Sequence, residues 1–77
     1  MILLMVDDEP IIIQTLARSI SIESKNIKKI LLAYSAEDAK RYFLNEPMID
    51  LVMCDIEMPQ TNGLALLSWI RANYPQT

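Results

Sequence analysis

Several residue types that build metal sites or covalent cross-links are nearly missing from this sequence. Its 77 residues include no histidine, one cysteine and one glycine. Because Cys54 has no histidine or second cysteine to join it, the chain can form neither an internal disulfide nor the usual zinc site, and it fits a reducing compartment. The simplest interpretation of Cys54 is a small buried strand residue.

Long hydrophobic runs and targeting signals are also missing. No apolar stretch is long enough to span a bilayer, and the N-terminus lacks the basic region, apolar segment and cleavage site of an exported protein. We therefore expect a cytoplasmic protein with no membrane partner. The net charge of −3 disfavours nucleic-acid binding by this segment.

The residues that are present have the composition of one small globular domain. Apolar residues make up 52% of the chain and charged residues 22%, which predicts a hydrophobic core and argues against disorder. At this size a single core rarely gives more than about 3–5 kcal/mol of net stability. The domain is therefore expected to be only marginally stable.

Hydrophobic periodicity predicts three strands that alternate with three helices. Apolar runs of strand length cover residues 2–6, 30–34 and 51–54, and the first suits a strand covered on both faces. Pro10 is typical of a helix start, and Ser35 with Asp38 predicts a capping box for a helix over about residues 36–45. The apolar stripes expected on the three helices are Ile12, Ile13, Leu16, Ala17 and Ile20, then Ala36, Ala39 and Phe43, then Leu64, Leu67 and Ile70, with Leu66 and Trp69 beside them. This β-α-β-α-β-α order predicts an α/β domain with a parallel sheet.

Acidic residues follow the first and third predicted strands. Five of the ten acids lie there, and the other five oppose seven basic residues, so the rest of the chain carries 7 − 5 = +2. The five are Asp7, Asp8, Glu9, Asp55 and Glu57. Because parallel strands have their carboxyl ends at one edge of the sheet, we expect these acids to lie close together, where such sheets bind ligands.

Such a cluster needs a counter-charge. At about 5 Å and an effective dielectric near 20, two ionised carboxylates repel each other by roughly 3 kcal/mol. Neither motif contains a basic residue, and oxygen ligands favour Mg²⁺, Mn²⁺ or Ca²⁺ over zinc, with Mg²⁺ preferred because it also binds phosphate oxygens. The alternative is that Asp7, Asp8 and Glu9 only cap a helix and Asp55 only starts a turn, but capping needs just one of the three acids.

Both motifs, and the interval between them, resemble the N-terminal part of a response-regulator receiver domain from bacterial two-component signalling. The motifs are Val6-Asp7-Asp8-Glu9-Pro10 and Asp55-Ile56-Glu57-Met58-Pro59-Gln60-Thr61-Asn62-Gly63. The resemblance implies a flavodoxin-like fold with strand order 2-1-3-4-5. Residues 1–77 would then be a partial receiver domain of order 2-1-3, with strands 4 and 5 and helices 4 and 5 missing.

The resemblance also implies roles for individual residues. Asp55 would be the phosphoacceptor, receiving a phosphoryl group from a sensor histidine kinase. Asp7, Asp8, Asp55 and the backbone carbonyl of Glu57 would bind Mg²⁺, with Mn²⁺ as a substitute. The residues that would shape the loop after Asp55 are Met58, Pro59, Asn62 and Gly63; at Asn62 the family more often has aspartate.

The family's switch serine or threonine and its phosphate-binding lysine follow strands 4 and 5, which this chain lacks. Efficient signalling by these residues alone is therefore not expected, and an output domain, such as a DNA-binding one, is expected in the parent protein. The chain is not expected to be an enzyme beyond its own phosphorylation and dephosphorylation.

Two other functions remain open at this point. The third strand could pair with a second copy through its exposed edge and give a homodimer or an exchanged dimer. Alternatively, Asp55 could be the nucleophile of a phosphohydrolase, although that family resembles Asp-x-Asp-x-Thr, whereas here Glu57 and Pro59 occupy the second and third of those positions.

Overall fold

The computed structural model describes residues 1–23, 26–46, 48–55 and 63–77. Three strands and three helices alternate in this part of the chain, as the periodicity predicts. They are β1 (Ile2–Val6), α1 (Pro10–Glu23), β2 (Lys29–Ala33), α2 (Ala36–Asn45), β3 (Leu51–Cys54) and α3 (Gly63–Asn73). The α/β class and the element order are confirmed.

The three strands form one parallel sheet of order β2-β1-β3. The central place of β1 agrees with its uniformly apolar sequence, and Leu3 to Val6 are all buried. In the register of β1 on β3, Leu3 lies opposite Leu51 and Val6 lies opposite Cys54. The predicted order 2-1-3 is confirmed, and β1 and β3 end side by side.

Alternate residues of β1 enter two separate hydrophobic clusters, one on each face of the sheet. Leu4 and Val6 join the larger cluster, which contains Phe43 of α2 and Leu66 of α3. Leu3 and Met5 point to the opposite face, where they pack with Ile13 of α1. The sheet is therefore covered by α1 on one face and by α2 and α3 on the other.

The stripe predicted for α1 is only partly buried. Ile13 is buried and Ala17 and Ile20 are half-buried, but Ile12 and Leu16 are each nearly half exposed. Leu16 and Met53 of β3 line the same open groove, and the sheet is only three strands wide in the described part. The prediction was wrong for Ile12 and Leu16, because a narrow sheet cannot cover the whole apolar stripe of the helix.

The stripe predicted for α3 also differs from the buried one. The helix buries Gly63, Leu66 and Ile70, whereas Leu64 is 57% exposed and Leu67 is also exposed. Leu67 instead lines a shallow groove beside the edge strand β3. The prediction was wrong for Leu64 and Leu67 and is confirmed for Ile70. Leu66 and Ile70, four residues apart, pack against the sheet.

The capping prediction for α2 is confirmed at Ser35, whose hydroxyl accepts a hydrogen bond from the Asp38 amide at 3.1 Å. In a capping box the second side chain returns to the cap's own amide. Here the Asp38 carboxylate accepts from the amide of Tyr34 instead, at 3.4 Å. The reciprocal bond is therefore shifted by one residue.

Three aromatic rings join α2 to α3. The ring of Phe43 lies 6.0 Å from Trp69 and 4.7 Å from Tyr74, centroid to centroid. The Lys40 ammonium lies 5.2 Å from the centre of the Trp69 ring, within the range of a cation–π contact.

None of the helices in the described part of the chain has the length and apolar character of a membrane span.

Candidate metal centre

The site forms where β1 and β3 end. Asp7 is the first residue after β1 and Asp55 is the first after β3. Backbone hydrogen bonds continue the sheet to both of them: the Asp7 amide donates to the Ala33 carbonyl and the Asp55 amide donates to the Val6 carbonyl, each at 3.0 Å. The backbone of Asp7 is therefore held by β2 and that of Asp55 by the central strand β1.

The structure brings three predicted residues together. One carboxylate oxygen from each of Asp7, Asp8 and Asp55 lies within 4.8 Å of the other two. Asp7 and Asp55 are half-buried, which reduces the screening of their mutual repulsion by water. Elsewhere in the described part of the chain, ion pairs join Lys29 to Glu46 and Arg41 to Asp38.

Asp7 also helps to start α1. Its Oδ1 accepts a hydrogen bond from the Glu9 amide at 3.0 Å, and the Glu9 carbonyl accepts the first bond of the helix from the Ile13 amide at 3.2 Å. The capping alternative therefore applies to Asp7. It gives no reason for Asp8 and Asp55 to lie at the same point.

The donor chemistry of these residues fits a hard divalent cation. Three carboxylates supply only oxygen ligands and a formal charge of −3, which suits Mg²⁺ or Mn²⁺. The three oxygens lie within 4.8 Å of one another, so a single cation could contact all three side chains.

An apolar groove of about 180 Å³ leads to two of the acids. Its walls come from β1, α1 and β3, and its lining residues are Met5, Val6, Asp7, Ile13, Leu16, Met53, Cys54 and Asp55. Burial raises the pKa of the Cys54 thiol, and the charges of Asp55 and Asp7 raise it further. From the sequence we predicted only a structural role for Cys54, although its place beside Asp55 indicates that the Asp55 charge acts on the thiol.

Several predicted residues lie outside the described part of the chain. These are Glu57, Met58, Pro59 and Asn62. Gly63 is described: it is the first residue of α3, it is buried, and it does not have a positive φ.

The described lysines lie away from the strand ends that carry the site. Lys28 and Lys29 lie where β2 begins, at the amino ends of the parallel strands, whereas the site lies at their carboxyl ends. Lys40 lies on α2 over Trp69. Lys29 is also engaged with Glu46, at 2.8 Å. None of these three follows a strand, in agreement with the sequence.

Comparisons with known proteins agree with this geometry. A family model described as "Response regulator receiver domain" matches residues 3–77. A two-component transcriptional regulator AraC from Clostridium phytofermentans ISDg superposes with a TM-score of 0.87 at 26% identity, over 99% of this chain and 60% of that one. A response regulator receiver domain protein from Clostridium thermocellum gives 0.79 at 29% identity, over 96% and 57%.

A third solved structure shares the fold at lower identity. RcsB from Salmonella enterica serovar Typhimurium, bound to promoter rprA in the presence of the phosphomimetic BeF3⁻, has a TM-score of 0.83 at 16% identity, over 99% of this chain and 39% of that one. The chain thus spans no more than 60% of the length of these structures. A search of curated proteins gives no significant match.

Proposed function

The chain belongs to the response regulator receiver domain family, and we propose that its Asp55 accepts a phosphoryl group from the phosphohistidine of a sensor histidine kinase, with Mg²⁺ as cofactor. The observation that carries this proposal is the convergence of Asp7, Asp8 and Asp55 within 4.8 Å at the carboxyl ends of β1 and β3. We also place the parent protein in the cytoplasm.

In the proposed reaction, a carboxylate oxygen of Asp55 forms a bond to phosphorus as the phosphorus–nitrogen bond of the phosphohistidine breaks. The electron pair of that bond goes to the imidazole nitrogen, which then takes up a proton. A bound Mg²⁺ would neutralise the carboxylates and the phosphoryl oxygens. The chain itself positions the nucleophile, since the hydrogen bond from Asp55 to Val6 fixes its backbone.

The other site residues have supporting roles in this proposal. Asp7 and Asp8 would bind the cation through their side chains, and Glu57 would add its backbone carbonyl. Met58, Pro59 and Asn62 would shape the loop after the phosphoacceptor. The phosphoryl group is transferred once and then lost by hydrolysis, so the protein is a signalling substrate and not an enzyme with a separate substrate.

The switch serine or threonine and the phosphate-binding lysine would have to come from outside these 77 residues. We therefore expect residues 1–77 alone to bind the cation but to signal poorly. An output domain in the parent protein would carry the response, and the transcriptional regulator among the similar structures suggests DNA binding as its activity.

The test is phosphorylation of the full parent protein by a small phosphodonor, with and without Mg²⁺, measured by intact-protein mass spectrometry. We expect a single, acid-stable phosphoryl adduct that requires Mg²⁺ and is lost in Asp55→Asn. Glu37→Gln, the same acid-to-amide change at an exposed site on α2, is the matched control and should keep the adduct. If the full parent protein forms no adduct, the proposal is wrong; rapid turnover of a phosphate ester would favour the phosphohydrolase instead.

Self-association is the second candidate function, and the edge position of β3 favours it. Within the described residues β3 pairs only with β1, and Leu51 and Met53 on it are 44% and 47% exposed. The strand carries no lysine or proline that would block edge pairing. A second copy of the chain could therefore add its own β3 to this edge.

Size-exclusion chromatography with light scattering tests this association. We expect a concentration-dependent dimer that Met53→Lys converts to monomer, because the new charge would lie in the paired edge. Leu44→Lys, at an exposed position on α2, should leave the dimer unchanged. A folded monomer at high concentration would exclude the dimer without affecting the phosphoacceptor proposal.

A further inference from the structure

We propose that Asp50 is a positioning residue, whose carboxylate fixes the register of β3 on β1 and so holds Asp55 beside Asp7. This inference rests on the proposed function for its consequence, because register matters to signalling only if the cluster binds a cation. Asp50 itself lies at the opposite end of β3 from the cluster. It would act only through the strand between them.

The evidence is a double hydrogen bond between Asp50 and the first residue of β1. The Asp50 Oδ2 accepts from the Ile2 amide at 2.7 Å, and the Asp50 amide donates to the Ile2 carbonyl at 2.9 Å. Both residues are half-buried. The carboxylate is thus bound to a backbone group 48 residues away, with a short charge-assisted bond.

The position of Asp55 depends on this register. Pairing runs from Leu3 with Leu51 to Val6 with Cys54, so Asp7 and Asp55 are the next pair along the strands. A slip of β3 by one residue would turn the Asp55 side chain to the other face of the sheet. A slip by two would move it by about 6.6 Å, which exceeds the 4.8 Å extent of the cluster.

The sequence of β3 specifies its register weakly. All four residues of the strand are apolar, so a shifted strand would still place apolar side chains on both faces of the sheet. Its backbone hydrogen bonds would also re-form after a slip by two residues. A polar contact that only one register satisfies would therefore add specificity to the pairing.

The Asp50 carboxylate makes such a contact. If β3 slipped by two residues toward the start of β1, the Asp50 carboxylate would lie beyond β1 and lose the Ile2 amide. If β3 slipped by two residues the other way, the Asp50 charge would lie beside Leu4, which is fully buried, and would lose its hydration. Both shifted registers lose the hydrogen bond, and one also buries a charge.

The experiment compares Asp50→Ala with Asp50→Asn in the full chain. Cross-strand nuclear Overhauser effects between Val6 and Cys54 measure the register without any metal, and a Mg²⁺ titration measures the cluster. We expect Asp50→Ala to lose these effects and to weaken Mg²⁺ binding by about 10-fold or more. Asp50→Asn keeps an acceptor oxygen without the charge, so it should keep the register and bind Mg²⁺ within about twofold of the original protein.

A second pair of variants keeps the test decisive if Asp50→Ala does not fold. Ile2→Pro removes the donor amide while leaving Asp50 in place, and proline is tolerated as the first residue of a strand. Ile2→Ala removes the side chain but keeps the amide. We expect register loss in Ile2→Pro and not in Ile2→Ala.

The outcomes separate this inference from the proposed function. If Asp50→Ala or Ile2→Pro keeps both the Val6–Cys54 contacts and the Mg²⁺ affinity, Asp50 is not a positioning residue. If Asp50→Asn keeps the Val6–Cys54 contacts but loses Mg²⁺ affinity as Asp50→Ala does, the charge of Asp50 acts on the cation directly and the inference is also wrong. If the original protein binds no Mg²⁺, the proposed function fails, while the register contacts still decide the role of Asp50.

Discussion

At the scale of single residues, Asp7 combines two tasks that usually fall to different side chains. It accepts a hydrogen bond from the Glu9 amide at the start of α1, and it contributes an oxygen to the acidic cluster. A carboxylate can do both because it has two oxygens and about four acceptor sites. The start of the helix and the candidate metal site are thereby coupled through one residue.

Substitutions at Asp7 should separate the two tasks. Asp7→Asn keeps an acceptor for Glu9 but removes a charge, so we expect Mg²⁺ affinity to fall by about 10- to 100-fold and the metal-free protein to become more stable, because the carboxylates repel less. Asp7→Ala should lose the same affinity but be about 1 kcal/mol less stable than Asp7→Asn, because it also loses the acceptor for Glu9. Calorimetric titration and urea unfolding measure the two effects; equal stability of both variants would contradict the helix-starting role.

Cys54 should report the charge state of the cluster. Burial raises the pKa of its thiol first, and the charges of Asp55 and Asp7 add to this. Because the folded protein holds the thiol proton more tightly than the unfolded chain, this contribution to stability is present below the unfolded pKa and is lost as the pH rises through the folded pKa.

We therefore expect alkylation of Cys54 by iodoacetamide to be slower in the native protein than in the urea-unfolded protein near pH 8, and to accelerate with pH. Asp55→Asn should increase the native rate, since it removes one of the repelling charges. Glu37→Gln serves as the control and should not. A native rate equal to the unfolded one would show that the thiol is unperturbed.

The convergence of the acids could be predicted from the sequence because it depends only on which strands they follow. Asp7 and Asp55 each come directly after an apolar run, and parallel strands end at one edge. The contact of Asp50 could not be predicted in the same way. Its partner, the Ile2 amide, is 48 residues away, and only the register of the sheet brings the two together.

At the scale of elements, α2 has the best-defined start in the described part of the chain. Ser35 has extended backbone angles, φ −156° and ψ 166°, and its hydroxyl accepts from the Asp38 amide. Glu37 and Asp38 add negative charge in the first turn, which is favourable near a helix N-terminus. Local sequence alone specifies this helix start.

Ser35→Ala should therefore lower the free energy of unfolding by about 1 kcal/mol, because the Asp38 amide loses its acceptor. Ser35→Thr keeps a hydroxyl and should lose less. Urea unfolding followed by circular dichroism measures both. No difference between the alanine and threonine variants would mean that water replaces the cap without cost.

The buried faces of α1 and α3 were predicted less well than that of α2, because they depend on how the sheet covers each helix. The apolar residues of α1 and α3 cover more than one face, so periodicity correctly included Ile13 and Ile70 but also predicted burial for exposed residues. These are Ile12, Leu16, Leu64 and Leu67. The width of the sheet decides which side of each helix is covered. In α2, by contrast, the apolar face is narrow, and Ala36, Ala39 and Phe43 are all buried as predicted.

At the scale of the whole molecule, the aromatic cluster of Phe43, Trp69 and Tyr74 joins the second and third helices over one face of the sheet. Phe43 is buried, and a Phe→Ala change in a core costs about 3–5 kcal/mol. This is about the whole net stability of a core of this size.

We expect Phe43→Ala to be largely unfolded at 25 °C and Phe43→Leu to fold with a loss of under about 1.5 kcal/mol. Because Trp69 is the only tryptophan and contacts Phe43, its fluorescence should follow unfolding in parallel with circular dichroism. Leu44→Ala, at the exposed neighbouring position, should change stability by less than about 0.5 kcal/mol. If Phe43→Ala unfolded at the same midpoint as the original protein, the stabilising role of this aromatic cluster would be contradicted.

The central place of β1 has a consequence for biosynthesis. The ribosome makes this strand first, but its second neighbour is complete only at Cys54, 54 − 6 = 48 residues after Val6. Because ribosomes add about 5–20 residues per second, the β3-facing edge of β1 stays unpaired for roughly 2–10 s. During that interval a chaperone that holds extended apolar segments would find in Leu3 to Val6 a natural place to bind the nascent chain.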